Sequence, residues 1–341
     1  MSATQPVQEG LRGFLAEQLH DPQLTLAEVR RHIEGFSWET WEMLVDWRQD
    51  GTPHRRRLIA RRVPEAGLVP PYDVPGQWEL ARALQHAPGV PVPTPLWADP
   101  TGTATGRPLY VMEHVDGDVP VPWNIHSFFA DAEARAHLGR QLIDVLGAIH
   151  RIDVAALPTG LRGQADGDPA AEVWHWQSIY EQLGGEPVPV LDRAFGWLSA
   201  HAGDVSGRRT LVHGDFRIGN AIVRDGSVVA MLDWELAHIG DPVEDVANFC
   251  MRLYRGKLKI PGGVLEIDDV LSTYRLSSGH DVSPAQLRFW LVFNDVRSAV
   301  TFLVAADLFA RERTRDLRYA AFSHQTPYLL RLVMADLIAD A

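Results

Sequence analysis

The sequence predicts an α+β chain: a small antiparallel sheet towards the N-terminus and a mainly helical remainder. Three observations predict it. The alternating stretches WEMLVDW and RRRLIARRV flank Asp50-Gly51 and read as paired strands around a turn. Later apolar residues recur at helix spacing, as in AEARAHLGRQLIDVLGAIHRID and SPAQLRFWLVFNDVRSAVTFLVAADLFARE. Between these helical stretches, AIV and VVAMLDW flank Arg-Asp-Gly-Ser, a second hairpin signal. With 341 residues the chain is long enough for a sizeable core and two lobes.

Composition narrows the function classes. At 46% hydrophobic and 22% charged, the chain has the make-up of a globular protein. A net charge of −12 argues against non-specific binding to nucleic acid, which needs a basic surface. The single cysteine, Cys250, excludes an intrachain disulfide and reads as a core thiol in a reducing compartment. The start, MSATQPVQEG, lacks a basic region followed by an apolar run, and no apolar run is expected to reach the length of a membrane span. The expectation is a cytoplasmic protein without a membrane partner.

The elements follow in order. Residues 8–20 fit a short amphipathic helix, and LAEVRRHIEG reads as a further turn or helix. The two strands come next, then a proline-rich loop. QWELARALQHA is a helix ended by Pro88-Gly89, and VPVPTPLWAD is an extended link into a strand. RPLYVMEHVDG is a strand followed by a turn, and VPVPWNIHSFF is irregular. A long helix capped near Asp131 leads to His150, which reads as a packed helix-end histidine. Residues 158–171 read as loop. VWHWQSIYEQL, VLDRAFGWLSAHA, DVANFCMRLY, DDVLSTYRLSS, the long SPAQ segment and a final helix through 327–339 complete the chain.

Residues 211–245, LVHGDFRIGNAIVRDGSVVAMLDWELAHIGDPVED, carry the chemistry. The hairpin has Asn220 before its first strand and Asp233 at the end of its second. Folding it brings the two side by side, next to Asp215. Two carboxylates and an amide oxygen suit a hard cation such as Mg²⁺, with one carboxylate left over as a base.

That arrangement resembles the catalytic segment of the kinase-like phosphotransferases. His213-Gly214-Asp215, Asp233-Trp234-Glu235 and Gly240-Asp241-Pro242-Val243-Glu244-Asp245 look like the motifs of the aminoglycoside phosphotransferase and choline kinase-like family, and most like its branch related to acyl-CoA dehydrogenase-associated phosphotransferases. The resemblance implies a protein kinase-like bilobal fold, with a sheet-bearing N-lobe over 1–113 and a helical C-lobe over 114–341. It implies ATP as cosubstrate, Mg²⁺ as cofactor and a small hydroxylated acceptor. Members resembling this chain act on aminoglycosides, macrolides, sugar or amino alcohols, or hydroxyacyl-CoA.

The resemblance also implies roles. Asp215 accepts or orients the acceptor hydroxyl proton, Arg217 neutralises the transferring phosphoryl group, and His213 orients the loop. Asn220 and Asp233 hold Mg²⁺, and Asp245 anchors the loop. A phosphate-covering loop matches through Gly35, Ser37 and Thr40. Either Arg61 or Arg62 faces the phosphates, since strand alternation admits only one, and the family pattern favours Arg61. The backbone of Met112, Glu113 and His114 is the expected adenine hinge. Gln77 stands where the family has Glu. Trp174 and Trp176 are candidates for the acceptor wall, although tryptophan at helix spacing is more often core. The alternative to an enzyme is a catalytically weak, pseudokinase-like nucleotide binder, which Gln77 and the arginine-for-lysine exchange favour slightly and the intact Asp215, Asn220 and Asp233 argue against.

Overall fold

In the computed structural model, residues 5–32, 35, 37–68, 71–163, 167–205 and 207–338 are described. The chain divides into two compact units: residues 1–85 with 92–116, and residues 86–91 with 117–341. The division lies three residues beyond the expected lobe boundary. Residues 86–91 belong with the second unit because the Pro91 carbonyl accepts a hydrogen bond from Met231 N–H at 2.8 Å.

The first unit is a five-stranded antiparallel sheet with two helices. Helix α1 (Gln5–Gln18) buries Val7, Leu11 and Leu15, at helix spacing, in one cluster with Trp41, Met43, Val45 and Leu58. Strands β1 (Thr25–His32), β2 (Glu39–Gln49) and β3 (Thr52–Arg62) are followed by helix α2 (Val74–Leu84), β4 (Pro95–Asp99) and β5 (Leu109–Glu113). The sheet order is β1-β2-β3-β5-β4. Asp73 caps α2 by accepting from Gly76 N–H, and a proline sits in its first turn.

The stretch LAEVRRH corrects the expectation of a turn or helix: it is strand β1. Glu42 of β2 explains the outcome. It binds Arg30 at 2.8 Å and His32 at 2.7 Å, side chains two residues apart on one face. A bulge between Ala27 and Arg30, with Glu28 at φ 50°, resets the alternation and hides the period of two in the sequence. Ile33 and Glu34 of the expected LAEVRRHIEG element lie outside the described residues, as do Phe36 of the phosphate-covering loop, Val69 and Pro70 of the proline-rich loop, 164–166 of the expected 158–171 loop and residue 339.

The second unit begins with a one-turn helix, α3 (Ile125–Phe128), and the long helix α4 (Ala132–His150), capped by Asp131. Helices α5 (Pro169–Gln182) and α6 (Pro189–Val205) lead to the short strand β6 (Thr210–Val212). A hairpin of β7 (Ala221–Arg224) and β8 (Ser227–Met231) follows, then β9 (His238–Gly240), which pairs antiparallel with β6. Asp225 and Gly226 turn the hairpin with φ of 52° and 76°, the geometry whose twist suits a two-residue connection. Helix α7 (Val243–Cys250) is buried at all 8 residues, and α8 (Ile267–Ser278), α9 (Pro284–Ala310) and α10 (Leu317–Ile338) close the unit.

Two expectations are corrected here. The last helix starts at Leu317, ten residues earlier than expected, and carries Pro327 inside it. Helix α9 is long and apolar enough to cross a membrane by length and composition alone. In the fold it is a core helix: Phe289, Trp290, Phe293 and Val296 join one cluster with residues of α5, α6, α7 and α10. Its buried Asn294 and Arg297 bind α7, contacts that lipid would not supply. Cys250 is fully buried, and burial pushes its thiol up to about 12, so it is an inert core group.

Candidate active site

Strand β6 delivers His213, Gly214 and Asp215 to one loop. Gly214 has φ 85°, and a Cβ there would lie 2.6 Å from the Cβ and carbonyl oxygen of Leu236. No other residue fits this turn without moving the loop. The N–H of Asp215 donates to His213 Nδ1 at 3.2 Å, and His213 Nε2 lies 2.9 Å from the Leu232 carbonyl. Nδ1 is therefore the acceptor and Nε2–H the donor of a neutral ring. Burial holds its pKa below the ordinary value, against the opposing pull of Asp245 and Asp215. Both nitrogens are engaged, so His213 orients the loop and has none left for a proton or a metal.

The Asp215 carboxylate is held on one side by two donors. Arg217 Nε lies 3.2 Å from Oδ1 and 3.0 Å from Oδ2, and Asn220 Nδ2 reaches Oδ2 at 2.8 Å. The same Nδ2 donates to the Asp215 carbonyl at 2.8 Å. With both amide protons committed to Asp215, Asn220 has its amide oxygen to offer a cation. Burial works against the charge on Arg217, but Asp215 and its other neighbours outweigh it and raise its pKa further. The guanidinium also lies over the Tyr254 ring, 5.4 Å from its centroid.

The hairpin brings Asp233 to the same place. Leu232 N–H donates to the Asn220 carbonyl at 2.7 Å, which sets Asp233 one residue from that contact. Asp233 is left-handed, with φ 61° and ψ 58°. Aspartate tolerates this conformation better than most residues, at a strain of roughly 1–2 kcal/mol. Trp234 then packs its ring on His213, with centroids 4.4 Å apart.

Helix α7 fixes the loop from below. Asp245 accepts from His213 N–H at 2.7 Å and from Gly214 N–H at 2.9 Å. One turn later Asn248 donates to the Phe216 carbonyl at 3.1 Å. His150, at the end of α4, sits 3.2 Å from Asp245 Oδ2, the oxygen that also accepts from His213 N–H, and 2.8 Å from the Tyr274 hydroxyl. Burial alone would raise the Asp245 carboxyl; the hydrogen bonds from His150 and from the loop N–H outweigh it and hold it below the usual range. Asn248 and the anchoring side of His150 escape sequence reasoning. The spacing Asp245-x-x-Asn248 on one helix face was the available signal.

The remaining expected site residues belong to the first unit. Thr40 corrects the expectation of a loop residue, because it lies in β2 paired with Arg61 of β3. Ser37 precedes the strand. Arg61 and Arg62 are both buried. Arg62 binds Glu39 at 2.6 Å and the hydroxyl and carbonyl of Thr105, a structural set of bonds. Arg61 lies over the Trp38 ring at 5.5 Å. At the expected hinge, Glu113 N–H donates to Thr94 and His114 N–H to Arg57. Both N–H groups are thus engaged within the first unit, and the carbonyl oxygens are the backbone groups that Glu113 and His114 retain for a nucleotide. Gln77 is in the first turn of α2.

Trp176 is core, donating through Nε1 to Glu172 at 3.1 Å, whereas Trp174 is exposed. A buried cluster of Glu172, His238 and Glu244 has ligand atoms within 4.8 Å of one another. It is a charge-balanced node of the fold. Arg162 pairs with Glu172, Arg297 pairs with Glu244 at 2.6 Å, and the two carboxylates raise the His238 pKa although burial opposes it.

The model of the phosphotransferase enzyme family matches residues 38–266, which holds the whole constellation. The chain belongs to this family. The chain is 32% identical over 202 residues to acyl-CoA dehydrogenase family member 10 of Mus musculus, covering 58% of this chain and 18% of that protein. The curated relatives are longer, and the chain spans from 18% to 37% of their length. Its fold is shared with a Ralstonia eutropha chain proposed to be an aminoglycoside phosphotransferase, at TM-score 0.73 and 20% identity, with 96% of this chain and 97% of that one covered. It is also shared with a thermostable mutant of aminoglycoside phosphotransferase APH(4)-Ia in ternary complex with ADP and hygromycin B, at TM-score 0.58 and 15% identity, covering 95% and 98%. The kinase-like two-part architecture expected from the sequence is therefore the architecture found.

Proposed function

We propose that this phosphotransferase moves the γ-phosphoryl group of ATP to the hydroxyl of a small molecule in the cytoplasm, and that the acceptor is a hydroxyacyl group carried as a coenzyme A thioester. The observation that carries the transfer is the set around Asp215: one carboxylate held by Arg217 and Asn220, with Asp233 brought to the same hairpin end. The support for the acceptor is the acyl-CoA dehydrogenase name of the relatives.

Asp215 takes the proton of the acceptor hydroxyl. The hydroxyl oxygen bonds to the γ-phosphorus, the bond to the β–γ bridging oxygen breaks, and ADP leaves. Arg217, steadied by the Tyr254 ring, offsets the charge on the transferring group. The donor set fits a hard cation, since the amide oxygen of Asn220 and the Asp233 carboxylate are oxygen ligands. Mg²⁺ held by these two residues would neutralise nucleotide phosphate charge.

The test is ADP release from Mg·ATP across hydroxyacyl-CoA thioesters, aminoglycosides, sugar alcohols and amino alcohols, with ³¹P spectra of the product. The expected result is one phosphomonoester formed per ADP with a hydroxyacyl-CoA. ATP binding without ADP release for any acceptor would sink the enzyme reading and leave a nucleotide-binding pseudokinase.

A further inference from the structure

The chain carries 32 Lys and Arg residues, and only two of them are lysines, Lys257 and Lys259. They stand in MRLYRGKLK, four cations within eight residues of a chain whose net charge is −12. The two arginines are committed inside the fold: Arg252 pairs with Asp336, and Arg255 donates to the Cys250 carbonyl at 2.9 Å. Lys257 and Lys259 are exposed, and neither forms an ion pair with any described residue.

Their position borders the catalytic loop. Tyr254, three residues before Lys257, is the ring beneath Arg217. On the neighbouring segment, Val121 Cγ1 lies 3.5 Å from where a Cβ on Gly219 would stand. Gly256 packs against Pro122, whose carbonyl oxygen would be 2.4 Å from a Cβ at that glycine. The next residue, Trp123, is 62% exposed. Lys259 is left-handed, with φ 60°, so the short helical turns around it form a defined loop. Two unpaired ammonium groups, an exposed aromatic face and a hydroxyl-activating carboxylate thus share one end of the second unit.

We propose that Lys257 and Lys259, with Trp123, form the docking site for a phosphate-bearing end of the acceptor. Ammonium groups without carboxylate partners attract phosphate esters, and an exposed indole offers its face to a purine. The inference rests on the acyl-thioester reading above, because coenzyme A carries a 3′-phosphate, a diphosphate and an adenine. A cationic acceptor such as an aminoglycoside would be repelled here.

Free coenzyme A is titrated by calorimetry into the enzyme saturated with Mg²⁺ and a non-hydrolysable ATP analogue, so that the nucleotide site is closed to it. The expected result is saturable binding that weakens at least tenfold in K257A/K259A, with unfolding temperature unchanged. Inorganic phosphate should bind far more weakly. For turnover, the Michaelis constants of a hydroxyacyl-CoA and of the same hydroxyacyl-pantetheine are compared; wild type should favour the former, and the variant should bring the ratio towards one. Equal coenzyme A binding by variant and wild type, no binding by wild type, or inorganic phosphate binding as tightly as coenzyme A overturns the proposal. Lysine-dependent binding without turnover of any hydroxyacyl-CoA would keep the docking site and sink the acceptor reading. Equal turnover of hydroxyacyl-CoA by the variant would do the reverse.

Discussion

His150 sits 3.2 Å from Asp245, and through that carboxylate the end of α4 is tied to the loop that carries Asp215. Replacing His150 by Ala leaves a buried carboxylate without its side-chain donor and opens a space beside Tyr274. The expected loss of stability is about 2–4 kcal/mol. The loop N–H groups remain on Asp245, so the fold survives and kcat falls more than the Michaelis constant for ATP rises. Chemical denaturation and steady-state kinetics on H150A check this; unchanged stability would show that the Tyr274 hydroxyl and the loop suffice.

Asp215→Asn keeps the acceptor of the Arg217 and Asn220 bonds but cannot take a proton. Turnover should fall on the order of 10²–10⁴-fold while nucleotide binding persists. The measurement is ADP release beside ATP titration by calorimetry, and wild-type turnover in D215N would remove the base role.

How much of this was legible in the sequence differs by element. The Asp-Gly hairpin and the loop before it announce themselves, because both positive-φ turns and the alternating runs are local. The oxygen-bearing side chains of Asp215, Asn220 and Asp233 lie within one hairpin's length, so their meeting follows from a single fold-back. His150 and Asn248 do not announce themselves. His150 meets Asp245 across 95 residues, a tertiary contact no local pattern encodes. Strand β1 is hidden for a related reason: its partner, Glu42, comes later in the chain, and the bulge breaks its period.

Asp233→Ala should abolish the Mg²⁺ dependence of nucleotide binding as well as turnover. Removing the side chain also relieves nothing in the left-handed backbone, since alanine is less suited to φ 61° than aspartate. Calorimetric ATP titrations with and without Mg²⁺ separate the effects. A retained Mg²⁺ dependence would leave Asp233 a structural turn residue.

Asp295 on α9 gives a pH signature. Burial first, and then Asp336, push its carboxyl up to about 8. The unfolded chain releases this proton near pH 4, as carboxyls ordinarily do. Below that both states hold it and nothing is lost. Between about pH 4 and 8 only the unfolded state ionises, so stability falls with rising pH, by no more than about 1.4 kcal/mol per unit, and then levels off. D295N removes this slope and should be the more stable protein at pH 8. Denaturation midpoints at pH 5 and 8 test it, and parallel slopes in the two proteins would place the ionisation elsewhere.

Arg61 and Arg62 are neighbours in β3 with opposite duties. Arg62 is committed to Glu39 and Thr105, so R62A strands a partly buried carboxylate. Arg107 also reaches Glu39, at 3.2 Å, and shares that charge, which sets the expected destabilisation near the low end of about 3–5 kcal/mol. Arg61 lies against Trp38 and is the cation expected to grip phosphate. R61A should therefore raise the Michaelis constant for ATP strongly with a smaller change in stability. Gln77, without a charge to offer, should matter less: Q77A is expected to be mild, and Q77E tolerated, because a carboxylate adds charge assistance to any bond with an arginine. Unfolding curves and ATP kinetics on the four variants decide the matter. If R62A raises the Michaelis constant and R61A only loosens the fold, the two arginines exchange roles. If neither affects ATP, phosphate is gripped by another part of the first unit.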